Sequence, residues 1–316
     1  MKIIAQTTEF MLNQNSAVTI GKFDGIHVGH CRLLQKITEQ KARGLLAVVF
    51  TFDPSPAALF GEKQLELTTR EEKREVFEKM GIDVLVEFPL SRKTAAIKPE
   101  EFVSQILVKQ MKAKYIAAGT DLSFGDKGAG DFKLLQQMCK KFDYQVEIID
   151  KVTYDDKEVS SSLVREEVTK GNMITVQQLL GHAYTVSGTI VTGNRIGRTL
   201  GMPTVNLLPG AEKLMPPFGV YYSRVFLQDT PEDEKREYCG ITNIGYKPTV
   251  SQEKILGVET YLYHFTGDLY GRNITVELLE FKRGEQQFAS LDALKKQLML
   301  DVEDGRKYHK LQKDCI

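Results

Sequence analysis

The sequence predicts a protein of two domains: a doubly wound α/β domain with a parallel sheet, then an antiparallel β-sheet or barrel that ends in a helix. Its 316 residues exceed the usual size of a single domain. Strand-like and helix-like segments alternate as far as residue 149, which favours parallel βαβ units. After Ala183 several β-like segments follow one another without helices between them, which favours antiparallel pairing. We therefore expect residues 1–182 and 183–316 to form separate domains.

The N-terminal half contains five short apolar segments of the kind that form buried strands. They are residues 16–21, 45–52, 83–88, 115–119 and 145–149. A Gly-rich turn and a helix with an apolar face follow the first of them. Further helices are predicted at residues 70–80, 99–112 and 131–142. Ligands of such sheets bind beyond the carboxyl ends of the strands, where the strand-to-helix turns lie.

A bridging helical segment is predicted over residues 160–182, where three serines can cap a helix and Gly181 can end the segment. The β-like segments beyond it are separated by Gly and Pro turns. They are residues 184–191, 205–208, 219–227, 239–245, 258–265 and 273–281. A terminal helix is predicted from four apolar residues near helical spacing: Leu291, Leu294, Leu298 and Val302.

The charge balance limits the classes of partner. Lys and Arg together number 42, as do Asp and Glu, so the formal net charge is zero. A neutral chain gives no support for general nucleic-acid binding, which needs a basic surface. A local basic pocket for a polyphosphate stays compatible with it.

The cysteines and the N-terminus bear on the compartment. Cys31, Cys139, Cys239 and Cys315 are far apart and form no CxxC pair, which favours reduced thiols over a disulfide framework or a zinc site. The first ten residues lack the apolar core of a signal peptide, and no apolar run reaches the roughly 18 residues that span a bilayer. We expect a cytoplasmic protein without a membrane partner.

The string GKFDGIHVGH, residues 21–30, lies between a predicted strand and a predicted helix. Its three glycines let the backbone pass close to a ligand, and the start of the helix favours phosphate. His27 and His30 are three residues apart, so both rings lie on one side of the helix start and can donate hydrogen bonds to phosphate oxygens. The alternative is a capped helix start with two ordinary histidines.

The string VSGTIVTGNRIGRTLGMPTVNL, residues 186–207, is the most specific in the chain. Its glycines allow a tight loop around a phosphate chain, and Arg198 adds charge. Thr204 and Asn206 are two residues apart, so on a strand they share a face and offer oxygen ligands of the kind that suit Mg²⁺. The alternative is a Gly-rich hairpin with a polar face.

Residues 21–30 resemble the GxFDGxHxGH signature of the nucleotidyltransferase superfamily in its flavin-adenylylating form. Further elements of that pattern are similar to TFDPSP (51–56), GTDLSFGDKGAGD (119–131) and VSSSLVREEV (159–168). The resemblance implies a Rossmann-like doubly wound nucleotidyltransferase domain that transfers the adenylyl group of ATP to FMN and releases pyrophosphate.

The same resemblance implies roles for individual residues. His27 and His30 would act catalytically at the α-phosphate, and Asp121 and Phe124 would bind the flavin. The implied ATP-binding residues are Gly21, Phe23, Asp24, Ser160, Ser161, Ser162 and Arg165. Helix capping by the serines and a solvated charge for Arg165 are the alternatives. Four positions depart from the usual residue, which is given in parentheses: Ser55 (His), Leu122 (Phe), Ser162 (Thr) and Leu163 (Arg).

Residues 186–207 resemble the riboflavin kinase signature G-x-x-x-G-R-x-L-G-x-P-T-x-N, and the similarity continues through PPFGVYYSRV, TNIGYKPTV and residues 258–288. It implies a six-stranded barrel with a terminal helix that phosphorylates riboflavin. The implied ATP-binding residues are Gly193, Gly197, Arg198, Gly201, Thr204 and Asn206. Thr204 and Asn206 would also bind Mg²⁺, and Glu259 would accept the proton of the riboflavin 5′-hydroxyl.

Two further residues of the second half, Arg283 and Glu285, would bind the flavin or merely form ion pairs at the surface. Together the two resemblances imply a prokaryotic bifunctional FAD synthetase whose small-molecule partners are riboflavin, FMN and ATP, with FAD as a product. Three alternatives remain: a kinase with a degenerate N-terminal half, a nucleotidyltransferase for another phosphorylated molecule, and a non-catalytic flavin-binding regulator.

Overall fold

The computed structural model describes residues 1–55, 59, 61, 65–193, 197, 201–227, 236–248 and 254–311. The chain divides into two compact units, Met1–Leu163 and Val164–Ile316. Within the described ranges no helix combines the length and the apolar character that crossing a membrane requires.

The first unit is built on a six-stranded sheet in which all neighbouring strands run parallel. The strands are β1 (Lys2–Ala5), β2 (Ser16–Ile20), β3 (Leu46–Asp53), β4 (Val84–Pro89), β5 (Ala113–Gly119) and β6 (Gln145–Ile149). Their spatial order is β1-β4-β3-β2-β5-β6, so the chain changes direction across the sheet beside β2. Carboxyl ends of strands at such a switch point border a ligand crevice.

Residues that alternate along the strands pack into separate apolar clusters. In β3, Val48 and Phe50 belong to one cluster, whereas Ala47 and Val49 belong to the other. Since successive side chains point to opposite faces, both faces of the sheet are covered. The predicted doubly wound architecture and its five predicted strands are confirmed.

The helices that cover the sheet lie close to their predicted positions. They are α1 (Val28–Glu39), α2 (Arg70–Lys79) and α4 (Phe132–Phe142), with α3 formed by a short turn, Pro99–Glu101, that continues as a π-helix, Phe102–Gln110. Helical turns of four residues lie at Gln40–Arg43 and Arg92–Ala95, and one of three residues lies at Asp126–Gly128. Two pairs of short strands complete the unit: 123–124 pairs with 130–131, and 153–154 pairs with 157–158.

The predicted bridging segment consists of two helices, α5 (Ser161–Lys170) and α6 (Met173–Leu180). The hydroxyl of Ser160 accepts a hydrogen bond from the N–H of Leu163 at 3.3 Å, which caps the start of α5. Gly181 ends α6 in the left-handed conformation, with φ of 80°. The helix α5 spans the division between the two units.

The second unit contains a closed barrel of six antiparallel strands. They are β7 (Tyr184–Val191), β8 (Thr204–Leu207), β9 (Gly219–Leu227), β10 (Arg236–Pro248), β11 (Lys254–Leu262) and β12 (Asn273–Gly284), in the order β7-β8-β11-β10-β9-β12. Closure removes the free sheet edges. The predicted barrel is confirmed.

The terminal helix α7 (Leu291–Tyr308) packs on the barrel through polar as well as apolar contacts. The hydroxyl of Tyr263 donates to the carbonyl oxygen of Val302 at 2.7 Å, and a Cβ on Gly305 would overlap that hydroxyl. The guanidinium of Arg283 in β12 donates to both carboxylate oxygens of Asp301, at 3.0 and 3.2 Å from Nε. Asp301 is only 2% exposed, so this ion pair fixes the helix to the barrel.

Candidate active sites

The first candidate site is a cavity of about 660 Å³ at the carboxyl ends of the parallel strands. Its walls come from Gly21 and Lys22 after β2, from the first turn of α1, from the segment after β5 and from Asp150 and Lys151 after β6. One side is apolar and lined by Phe52, Phe88, Leu90, Phe102, Leu122 and Phe124. The cavity therefore combines an aromatic lobe with a polar wall at the place where the fold predicts a ligand.

An unusual turn carries the chain from β2 into α1. Phe23 and Ile26 have φ of 49° and 42°, a left-handed conformation that is rare outside glycine, and both side chains are fully buried. The carboxylate of Asp24 accepts hydrogen bonds from the N–H groups of Leu67 and Thr68 at 2.8 and 3.3 Å. Burial and these bonds hold the turn in a conformation that the residues alone disfavour.

The two histidines lie against each other at the entrance of α1. Their ring centroids are 3.7 Å apart and the rings are 19° from parallel, while the ring of Phe23 lies 5.1 Å from that of His30. Nδ1 of His27 accepts a hydrogen bond from the N–H of His30 at 3.3 Å, so His27 is also the helix cap. A neutral His27 must then carry its proton on Nε2, where it can donate to a ligand.

Burial shifts the histidines toward the neutral form. It lowers the pKa of His27 to about 4, an effect that Asp121 partly opposes. The pKa of His30 lies well below its ordinary value because the ring is buried and His27 is adjacent. A bound phosphate would act in the opposite sense, because an anion stabilises the protonated ring.

Two of the three serines in the segment 159–168 lie at the cavity, and the third does not. Ser160 and Ser161 line the cavity, and the hydroxyl of Ser161 donates to the carbonyl oxygen of Asp24 at 2.7 Å. Ser162 is exposed and does not line it, and Arg165 belongs to the second unit. Capping by Ser160 and anchoring of the turn by Ser161 are therefore structural roles that accompany any role in ATP binding.

The two predicted flavin-binding residues differ in exposure. Phe124 is 3% exposed and packs on Phe102 with 5.3 Å between ring centroids, so it forms part of the aromatic lobe. Asp121 is exposed, with a carboxylate oxygen 3.8 Å from Nζ of Lys151. Ser55 and Leu122, two of the departing positions, line different cavities: Leu122 the first and Ser55 a neighbouring cavity of about 240 Å³.

The second candidate site lies on the barrel, where strand register brings the predicted residues together. Asn206 of β8 pairs directly with Glu259 of β11, and Thr204 pairs with Tyr261. On the other side of β11, Glu259 pairs with Asn243 of β10. Directly opposite residues of antiparallel strands lie on one face with Cα atoms about 4.5–5.5 Å apart. Thr204, Asn206, Asn243 and Glu259 therefore share one face of the barrel.

Two glycines of the second motif lie against these residues. A Cβ on Gly193 would come within 2.7 Å of the amide nitrogen of Asn206, and one on Gly197 would lie 3.4 Å from the hydroxyl oxygen of Thr204. Gly201 has φ of 80°, which favours glycine, and the carbonyl oxygen of Gly197 accepts from the N–H of Met202 at 2.7 Å. Arg198 lies outside the described residues.

The remaining two predicted residues are not paired with each other. Arg283 binds Asp301 and the carbonyl oxygen of Gly284, whereas the carboxylate of Glu285 lies against Gly245 so closely that a Cβ there would overlap it. Gly245 is two residues from Asn243 in the same strand, which places Glu285 near the face that carries Glu259.

Sequence reasoning missed Lys22, Asn243 and Asp301. Lys22 is part of the GKFDG string and Asn243 is part of TNIG, so both could have been selected as candidates from the motifs alone. Their surroundings could not be predicted, because strand register places Asn243 beside Glu259 and the folded chain places Lys22 at two cavities. Asp301 carries no signal in the sequence because it reads as an ordinary polar residue of an amphipathic helix.

Comparison with known proteins assigns both halves. The FAD synthetase family model matches residues 10–163, and the riboflavin kinase family model matches residues 180–309. The bifunctional riboflavin kinase/FMN adenylyltransferase of Escherichia coli (strain K12) is 35% identical over 304 residues, which cover 95% of each chain. The protein of that name from Listeria monocytogenes is 31% identical over 308 residues, covering 96% of this chain and 95% of the relative.

A solved structure is similar to this chain over nearly its whole length. A crystal structure described as a macrolide-efflux protein from Streptococcus pneumoniae is 29% identical, with a TM-score of 0.83, and the match covers 96% of this chain and 98% of the other. Because the curated relatives exceed 30% identity over almost their full length, the chain belongs to the bifunctional riboflavin kinase/FMN adenylyltransferase family.

Proposed function

We propose that this chain makes both flavin cofactors, phosphorylating riboflavin to FMN in residues 183–316 and adenylylating FMN to FAD in residues 1–182. The match of both family models supports two activities over a kinase with a degenerate N-terminal half. The direct register of Asn206 with Glu259 supports the kinase assignment, since the proposed ATP ligand and the proposed base occupy paired positions on adjacent strands. Riboflavin, FMN and ATP are the proposed partners, and the cytoplasmic location stays a prediction.

In the kinase site, Glu259 accepts the proton of the riboflavin 5′-hydroxyl as that oxygen attacks the γ-phosphorus of ATP. The bond from γ-phosphorus to the bridging oxygen breaks, and ADP leaves. The glycine loop and Thr204 hold the phosphate chain, and Arg198 completes the predicted grip. Such reactions depend chiefly on positioning and charge neutralisation.

The donor set of this site fits Mg²⁺. Thr204 and Asn206 offer uncharged oxygens beside the Glu259 carboxylate, and the close approach of Gly193 leaves a narrow cradle against the Asn206 amide. The described residues contain no cluster of three or more His, Cys, Asp or Glu side chains, as expected for an ion held largely by nucleotide phosphates and water. When bound, Mg²⁺ neutralises charge on the phosphates. Thr204 and Asn206 are the proposed ligands.

In the adenylyltransferase site, a phosphate oxygen of FMN attacks the α-phosphorus of ATP and pyrophosphate leaves. His27 donates from Nε2 to an oxygen of the α-phosphate, where charge grows during the reaction, and His30 supports it from the stacked position. Gly21 permits close passage of the chain, and Phe23 and Asp24 hold the turn. The predicted roles of Ser160, Ser161, Ser162 and Arg165 toward ATP, and of Asp121 and Phe124 toward the flavin, stay part of the proposal. Arg283 and Glu285 stay proposed flavin ligands of the kinase site.

Chromatography of flavin products tests the proposal. The purified chain, supplied with ATP and Mg²⁺, is given riboflavin in one reaction and FMN in another. We expect FMN and then FAD from riboflavin, and FAD with an equal amount of pyrophosphate from FMN. FMN without FAD would restore the kinase-only alternative, and no product from either flavin would refute both activities.

A further inference from the structure

Lys22 stands at the junction of the two cavities of the first unit. It lines both the 660 Å³ cavity that holds the histidines and the neighbouring 240 Å³ cavity, as does Phe52 of the aromatic lobe. Its side chain is exposed, and within the described residues it forms no ion pair or hydrogen bond. Lys22 is therefore available to a ligand where the cavities meet.

The carboxylates of the smaller cavity do not neutralise Lys22, because each has another cationic partner. Asp53 binds Arg70, Glu66 lies 3.2 Å from Nζ of Lys73, and Glu87 receives two hydrogen bonds from Arg74 at 2.8 and 2.6 Å. All three cations belong to α2. Counting these pairs as neutral leaves one excess positive charge, that of Lys22, among the described residues that line the smaller cavity.

A positive charge at this place would favour adenylylation. The reaction brings two anions together, the phosphate of FMN and the triphosphate of ATP. His27 and His30 are held neutral by burial, so they offer hydrogen bonds but no fixed positive charge. A cavity of 240 Å³ is smaller than the usual range of about 300–1,000 Å³ for ligand pockets, and suits a phosphate or pyrophosphate better than a ring system.

We propose that Lys22 is a substrate-positioning residue of adenylylation, which pairs with a phosphate group at the junction of the two cavities. The inference rests on the proposed function. The phosphate belongs either to FMN or to the pyrophosphate part of ATP, and these two sources differ in which Michaelis constant the residue controls.

Steady-state kinetics of Lys22→Met distinguish the sources. We expect the KM of one substrate to rise about tenfold, as for loss of a charge-assisted hydrogen bond at an exposed position. A rise in the KM of FMN assigns the flavin phosphate, and a rise in the KM of ATP assigns the triphosphate. Lys22→Arg should restore most of the loss, and added salt should narrow the gap between wild type and Lys22→Met.

Two further lysine variants are controls for the loss of a positive charge elsewhere in the first unit. Lys127 lines only the larger cavity, and Lys140 is exposed on α4 and lines neither. Lys140→Met should behave as wild type. Wild-type kinetics in Lys22→Met, or the same loss in Lys127→Met as in Lys22→Met, would overturn the inference while leaving the proposed function intact. An inactive wild-type chain would instead refute the proposed function. Far-ultraviolet circular dichroism and urea unfolding of each variant, compared with wild type, report whether the first unit is folded.

Discussion

Asn206 and Glu259 face each other directly across the ladder between β8 and β11, although 53 residues separate them in the chain (259 − 206). Asn206 is 5% exposed and lies beneath Gly193. An amide oxygen and a carboxylate on adjacent strands can surround a single phosphoryl group, and this relationship underlies the proposed kinase site.

Replacing Asn206 by Ala should weaken productive ATP binding in the kinase. We expect kcat/KM for ATP to fall about 10- to 100-fold, the range for a lost hydrogen bond to a charged group. Initial rates of FMN formation at varied ATP and Mg²⁺ would measure it. Leu208→Ala, at a 42% exposed residue just after the same strand, is the control and should leave the rate unchanged. Equal rates in Asn206→Ala and wild type would exclude Asn206 from the site.

Gly193→Ala should displace the side-chain amide of Asn206. Its Cβ would lie 2.7 Å from the Asn206 amide nitrogen, so the amide must turn away. We expect slower riboflavin phosphorylation and a loss of about 1–3 kcal/mol in stability, as for overpacking. Gly284→Ala is the matched variant, because a Cβ at that position would meet no atom within 4 Å beyond its own chain neighbours. A Gly193→Ala enzyme with normal kinetics would show that the contact between residue 193 and the Asn206 amide is not required for phosphorylation.

The stability of the first unit should depend on the titration of His27. Its pKa falls from 6.5 to about 4 on folding, so the unfolded chain binds the proton more readily. The stabilisation is present above pH 6.5 and is lost as the pH falls toward 4, by at most about 3 kcal/mol.

Urea unfolding of wild type and His27→Asn across this range would measure the effect of His27 together with its influence on the adjacent His30, since Asn retains a cap acceptor. We expect the stability of wild type relative to the variant to decrease on acidification. A difference that stays constant between pH 7 and pH 4 would contradict burial of a neutral His27.

The ion pair between Asp301 and Arg283 should be important for stability. Removing the carboxylate leaves Arg283 and Lys282 without their buried partner, which costs about 3–5 kcal/mol for a buried pair. Thermal unfolding of Asp301→Ala would measure it. Asp304→Ala, which removes a half-exposed partner of Lys282, should cost about 1 kcal/mol or less. Similar losses of stability in both variants would show that the buried Asp301–Arg283 pair contributes no more than the half-exposed Asp304–Lys282 pair.

Much of the fold could be predicted because the strands are apolar runs with clear boundaries. The strand β1 was missed, since four residues at the start of the chain give little periodicity and its partner β4 lies about eighty residues away. The spacing of the third helix predicted its position but not its pitch: Phe102–Gln110 is a π-helix.

Of the candidate sites, only the residues that lie within sequence motifs could be predicted. The spacing of His27 and His30 indicated a shared side, and the rings do stack. The packing of Phe23 under His30, and the bonds from Leu67 and Thr68 to Asp24, depend on the fold of the turn and on contacts between segments that are distant in sequence. The same holds for Lys22, whose position at two cavities no local pattern shows.

The central claim is that one chain carries two separate sites, and crossing two variants with two substrates tests it most directly. Glu259→Gln and His27→Asn are each given riboflavin or FMN with ATP and Mg²⁺, and the flavin products are separated by chromatography. We expect Glu259→Gln to lose FMN formation by about 10²- to 10⁴-fold while still converting FMN to FAD, and His27→Asn to accumulate FMN without FAD. Failure of folded Glu259→Gln to convert supplied FMN to FAD, or failure of folded His27→Asn to form FMN from riboflavin, would contradict two independent sites.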